Sequence, residues 1–82
     1  MLTIKILGAG CPNCEKLAKR TRDALDPLGI SYELIKVTDY TDIADYGVLQ
    51  TPGLVVNERV VSVGRIPRKG EIVTWATEAI PE

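Results

Sequence analysis

The sequence contains no histidine. That absence removes both the commonest general base near neutral pH and the commonest metal ligand. Cysteine is scarce as well, with two in 82 residues, too few for a scaffold stapled by disulfides. No apolar run is long enough to cross a bilayer. The opening Met1-Leu2-Thr3-Ile4-Lys5 does not have the layout of a signal peptide, because a lysine interrupts its short apolar stretch and no cleavage-like site follows. Linkers, repeats and low-complexity segments are missing too. Neither sign of charge dominates: the formal net charge is -1, so there is no electrostatic case for nucleic acid or an anionic membrane surface as partner. These absences lead to the expectation of a cytoplasmic monomer without a cofactor, whose chemistry rests on sulfur.

What is present points to a single domain spanning residues 1–82. A chain of this size buries a limited core and is only modestly stable. Hydrophobic residues make up 45% of it, which argues for a packed fold and against disorder. Residues 2–7 form a short, mostly apolar run rich in β-branched side chains and read as a strand buried on both faces. Gly8-Ala9-Gly10 breaks it. From Pro12 the pattern turns helical: Cys14, Leu17, Ala18, Thr21, Ala24, Leu25 and Leu28 follow the spacing of one buried face. Pro27 and Gly29 end that helix.

Residues 31–37 read as a second strand, parallel to the first through a right-handed crossover. Residues 38–46 read as a short helix closed by Gly47. Two β-rich runs, 54–56 and 60–63, flank the polar turn Asn57-Glu58-Arg59 and read as a hairpin ended by Gly64. Residues 67–80 form the last helix, with Ile72, Val73, Trp75, Ala76, Ala79 and Ile80 on its apolar face. The order β-α-β-(α)-β-β-α fits an α/β fold: a four-stranded mixed sheet with helices on both faces.

Gly10-Cys11-Pro12-Asn13-Cys14 lies where a strand hands over to a helix. With Cys11 at the N-cap, Pro12 falls at the first helical position, where its missing amide hydrogen costs nothing. A thiolate on Cys11 would accept from the first amides and face the positive end of the helix dipole. Both effects lower a thiol pKa and make the sulfur reactive. Cys14, one turn on, lies on the same side and can close a disulfide with Cys11. So small a ring stabilises the fold by only about 2 kcal/mol in the chain-entropy account, which suits a reversible bond better than a structural one. In the exchange expected of this pair, Cys11 attacks a substrate disulfide and Cys14 resolves the mixed disulfide. The alternative is a metal-binding Cys-x-x-Cys module. A structural zinc site needs four ligands, and one chain without histidine supplies only two from cysteine, so carboxylates or a second copy would have to complete the set. Thr51-Pro52-Gly53 is a second signal, a proline entering a strand where a cis bond would suit a tight bend.

Taken together, Cys11-Pro12-Asn13-Cys14, Thr51-Pro52 and Gly64 resemble the thioredoxin superfamily over nearly the whole chain. The resemblance is greatest to small archaeal and bacterial thioredoxin-like redox-active disulfide proteins. It implies a minimal thioredoxin fold and a thiol–disulfide oxidoreductase that carries electrons. The partners it implies are protein disulfides and a reductase. Cys11 would be the exposed nucleophile and Cys14 the resolving thiol. Substrate would be bound by Pro12, Asn13, Thr51 and Pro52, with Pro52 beside the disulfide and the Thr51 backbone pairing with an extended segment. The chain departs from the family pattern in three places. Gly10 stands where many thioredoxins have Trp. Lys5 stands where many have a buried Asp, and is expected to point outward or reach water along its stem. Gly64-Arg65-Ile66-Pro67 replaces the glutathione-binding pattern of glutaredoxins, so glutathione is not an expected ligand. Arg65 and Lys16 read as solvated surface charges. Heavy-metal-associated domains also place Cys-x-x-Cys after a first strand, but their order is βαββαβ, whereas this chain is expected to end in a helix.

Overall fold

The computed structural model of the chain describes residues 2–9 and 12–79. Strand β1 is Leu2–Leu7 and helix α1 is Pro12–Leu25, followed by one 3-10 turn at Asp26–Leu28. Strand β2 is Tyr32–Val37, helix α2 is Tyr40–Asp45, β3 is Gly53–Val56, β4 is Arg59–Val63 and helix α3 is Lys69–Ala79. The four strands form one sheet in the order β2-β1-β3-β4. β1 runs parallel to β2 and antiparallel to β3, and β3 runs antiparallel to β4. The mixed α/β sheet expected from the sequence is therefore the one found.

Alternation along the inner strands divides the core in two. Leu2, Ile4 and Ile6 of β1 and Leu54 and Val56 of β3 face one side, where they meet Leu17, Ala18, Ala24 and Leu25 of α1 and Ile72 and Ala76 of α3. Leu7 and Val55 face the other side and meet Ile43 of α2 and Val48. The sheet thus carries helices on both faces, because successive side chains of a strand point in opposite directions.

The α1 periodicity holds for six of the seven residues assigned to the buried stripe: Cys14, Leu17, Ala18, Thr21, Ala24 and Leu25 are buried. Leu28 is a correction, at 45% exposed. The α-helix ends at Leu25, and the tighter 3-10 turn containing Pro27 rotates position 28 off the stripe. Gly29 then takes the left-handed conformation (φ 66°) and its amide donates to the Asp26 carbonyl, as a helix-terminating glycine does. Helix α2 is shorter than expected. Asp39 caps it, its carboxylate accepting from the amides of Thr41 and Asp42, so residues 38 and 39 stay outside.

The hairpin turn is also tighter than expected. Asn57 and Glu58 alone form it, both with positive φ (49° and 66°), and Arg59 already belongs to β4. Two left-handed central residues make the type I′ arrangement that matches strand twist. Tertiary bonds hold this turn in place without glycine. Asn57 exchanges two bonds with the Thr3 backbone, its amide donating at 2.8 Å and its Oδ1 accepting at 2.9 Å. Its Nδ2 donates to the Ala79 carbonyl at 3.2 Å. Helix α3 begins two residues later than expected, with Pro67 buried just before it. On its apolar face Ile72 and Ala76 are buried, Val73, Trp75 and Ala79 are half-buried, and Ile80 lies outside the described residues.

Candidate functional site

Helix α1 starts at Pro12, which has no amide hydrogen to leave unsatisfied. The periodicity that buries Leu17, Ala18 and Thr21 also turns Cys14 inward, because these positions lie three, four and seven residues further on. Cys14 is 4% exposed and is disulfide-bonded. Pro12 and Asn13, on the opposite side of the same turn, are exposed. Cys11 and the preceding Gly10 lie outside the described residues. Glu15, in the first turn, reaches across to β2, where both carboxylate oxygens accept from Lys36 Nζ at 3.0 Å.

A second segment arrives from β3. The Thr51-Pro52 peptide is cis, the bond that the position of this proline before a strand suited; Pro52 is buried and Thr51 exposed. The Pro52 carbonyl accepts from the Gly64 amide at 2.9 Å, which ties this bend to the end of β4. Gly64 needs its glycine: φ is +72°, and a Cβ there would stand 2.6 Å from Gln50 Oε1.

The two segments meet at Gly8, a site residue that sequence reasoning took only for a strand breaker. A Cβ built on Gly8 would overlap the Cys14 sulfur and lie 3.6 Å from the Thr51 Cβ. The Cys14 sulfur therefore occupies the space a side chain at position 8 would take, and Thr51, the residue before the cis proline, borders the same space. Only the strand-ending glycine itself could have signalled this, since glycine often marks a close approach in or beside a strand.

Lys5 behaves as expected and does not serve as a substitute for a buried acid. Its Nζ donates to Tyr46 Oη at 2.7 Å and pairs with the Glu58 carboxylate. Tyr46 Oη donates in turn to Glu58 Oε2 at 2.9 Å. The Glu58 and Tyr46 bonds hold the ammonium charged, raising its pKa above the usual lysine range, and the Lys5 bond lowers that of Glu58. Glu58 sits in the β3–β4 turn. The register pairs Leu7 with Gly53 and Ile4 with Val56, so this turn is at the opposite end of the sheet from Pro52 and Gly8.

Arg65 is more than a solvated charge. It makes a two-pronged contact with Glu71, NH1 to Oε1 at 3.2 Å and NH2 to Oε2 at 2.8 Å. Glu71 Oε1 also accepts from the Arg68 amide at 3.2 Å. This is the return half of a capping box at the start of α3. The Arg65 bond, then the Arg68 amide, lower the Glu71 carboxyl from 4.5 to about 2. A carboxyl depressed on folding contributes stability above its unfolded value, and loses it as pH falls towards the folded one. The wild-type Tm is therefore expected to drop between pH 4.5 and about 2 by more than that of Glu71→Gln, which cannot ionise. Thermal melts of the two proteins across that range check this, and parallel curves would refute it.

Among the described residues, no group of three or more cysteines, aspartates or glutamates is placed to hold a metal ion, and no helix is long and apolar enough to cross a membrane. The chain ends its described part in helix α3 and does not follow the βαββαβ order of the metal-binding alternative.

Comparison with known proteins agrees with this geometry. The thioredoxin domain family matches residues 2–77. A curated thioredoxin of Methanocaldococcus jannaschii is 40% identical over 72 residues, covering 88% of this chain and 83% of that protein. A thioredoxin of Methanothermobacter thermautotrophicus is 39% identical over 72 residues, covering 88% of this chain and 94% of the relative.

Proposed function

The chain belongs to the thioredoxin family and is a thiol–disulfide oxidoreductase; on that premise we propose that Cys11 and Cys14 are its redox pair and that it reduces protein disulfides. The observation that carries this reading is the surroundings of Cys14. Its disulfide-bonded sulfur is buried in the first turn of α1, against Gly8 and the segment leading to cis Pro52.

In the proposed cycle Cys11 is the nucleophile, because the start of a helix favours its thiolate. It attacks one sulfur of a substrate disulfide, forming a mixed disulfide and expelling a substrate thiolate, which takes up a proton. Cys14 loses its proton and attacks the Cys11 sulfur, breaking the mixed disulfide and forming the Cys11–Cys14 bond. The substrate leaves with two thiols, and its two electrons have come from the protein. A partner reductase returns two electrons and two protons. Burial suits Cys14 to the second step, since a sulfur shielded from bulky substrate can still reach the neighbouring Cys11 sulfur of the mixed disulfide. Pro12, Asn13, Thr51 and Pro52 form the substrate-binding rim, and an extended substrate segment pairs with the Thr51 backbone. We assign this activity to one domain, acting as a cytoplasmic monomer without metal or cofactor.

Titration of the two thiols against a redox buffer is expected to give one reversible two-electron couple; no couple would overturn the reading. Alkylation rate against pH, with Cys14→Ser isolating Cys11, is expected to inflect below the free-thiol value of about 8.5. An inflection at or above that value would refute the activation of Cys11 by the helix start.

A further inference from the structure

We infer that Gly8 is a positioning residue that holds the redox couple towards the disulfide by leaving its side-chain space to the Cys14 sulfur. This rests on the assignment of Cys14 to the redox pair. Three observations carry it. First, Gly8 is not one of the glycines of positive φ, which among the described residues are Gly29, Gly47 and Gly64, so its backbone shape does not demand glycine. Second, a Cβ on Gly8 would overlap Cys14 Sγ and stand 3.4 Å from Cys14 Cβ; the sulfur is what excludes a side chain. Third, the Gly8 amide donates to the Val37 carbonyl at 2.9 Å, extending the β1–β2 ladder by one bond. The backbone is pinned and cannot withdraw cheaply.

The two redox states would respond differently to a methyl group at this position. In the disulfide, Cys14 Sγ is held by its bond to the partner sulfur and cannot turn. In the dithiol, the sulfur is free to move to another staggered position about its Cα–Cβ bond. A side chain at position 8 therefore strains the oxidised form more than the reduced form. The couple concerned is the protein disulfide plus two glutathione thiols giving the protein dithiol plus one glutathione disulfide. Two electrons pass from glutathione to the protein, and the two thiol protons pass with them. With alanine at position 8 this equilibrium moves towards the protein dithiol.

The test is equilibration of wild type and Gly8→Ala with glutathione buffers of graded composition, followed by acid quench and alkylation to count thiols by mass. The expected result is a shift of at least tenfold in the equilibrium constant towards the dithiol, equal to about 30 mV. A variant couple equal to wild type, or shifted towards the disulfide, would overturn the inference while leaving the proposed function standing. A wild type without a reversible couple would overturn both. If oxidised Gly8→Ala does not fold, denaturation of Gly8→Ala in a Cys14→Ala background replaces the titration. There the methyl group meets no sulfur, and the double variant is expected to recover a cooperative unfolding transition close to that of Cys14→Ala alone. A double variant that does not fold either would place the clash elsewhere and refute the role.

Discussion

Cys14→Ser is expected to stop turnover at the covalent intermediate, lowering disulfide reduction by on the order of 10³-fold or more, the scale seen when one member of a catalytic unit is removed. Serine is close to cysteine in size and shape, so the packing around position 14 has little reason to change. Its hydroxyl does not attack a disulfide sulfur at neutral pH, whereas a thiolate does. Cys11, the residue before Pro12 in sequence, is unaltered and in the proposed cycle still opens the substrate disulfide. The substrate then stays attached. Incubation with a disulfide-bonded protein, followed by nonreducing electrophoresis and intact mass, is expected to show a one-to-one adduct that dithiothreitol dissolves. Cys11→Ser is expected to lose both turnover and adduct, because the remaining sulfur at position 14 is only 4% exposed. Wild-type turnover in Cys14→Ser, or an equal adduct in Cys11→Ser, would reverse or cancel the assigned roles. The same trapped adducts, recovered from cell extract, would identify the natural substrates.

Leu17→Ala is expected to destabilise the protein by about 2–5 kcal/mol, the range for emptying a packed leucine site. Leu17 of α1 is fully buried in the core shared with the inner strands and α3. Small domains begin with little stability, commonly 5–15 kcal/mol across globular proteins and less when the core is limited. A loss of this size takes much of the margin. It also bears on the chemistry, since Leu17 follows Cys14 by one helical turn and anchors the segment that aims the sulfur at Gly8. Urea denaturation read by far-ultraviolet circular dichroism measures the loss. A change below about 1 kcal/mol would mean that the site collapses around the cavity, or that Leu17 is not part of the packed core.

Much of this architecture was legible in the chain because it is written in short-range periodicity. The stripe from Cys14 to Leu25 identified α1 and its buried face, and the mostly apolar, β-branched run of β1 announced a strand covered on both sides. Pro12 marked the start of α1, and Thr51-Pro52 marked the bend before β3, because proline restricts the backbone wherever it stands. What stayed hidden depends on residues distant in sequence. Leu28 kept the helical spacing but left the stripe when the last turn tightened. Asn57 and Glu58 accept left-handed geometry because Thr3, Lys5 and Tyr46 bind them from elsewhere. Arg65 could not be paired with Glu71 before the turn into α3 was known. The role of Gly8 depends on a sulfur six residues away and on a bend more than forty residues away, and no local pattern records that meeting.

The position of β1 and β3 in the sheet has a consequence for how the molecule breathes. These strands deliver Gly8 and Pro52, and they are the inner pair of the order β2-β1-β3-β4. Each is laddered on both sides, while among the described residues β2 and β4 each have one flank unladdered. Excursions from the native state open first where cooperative support is thinnest, and the most enclosed strands open last. Transient peeling of either outer strand can therefore come and go many times while the reactive end keeps its shape, so the chemistry is insulated from the fastest opening motions of its own scaffold.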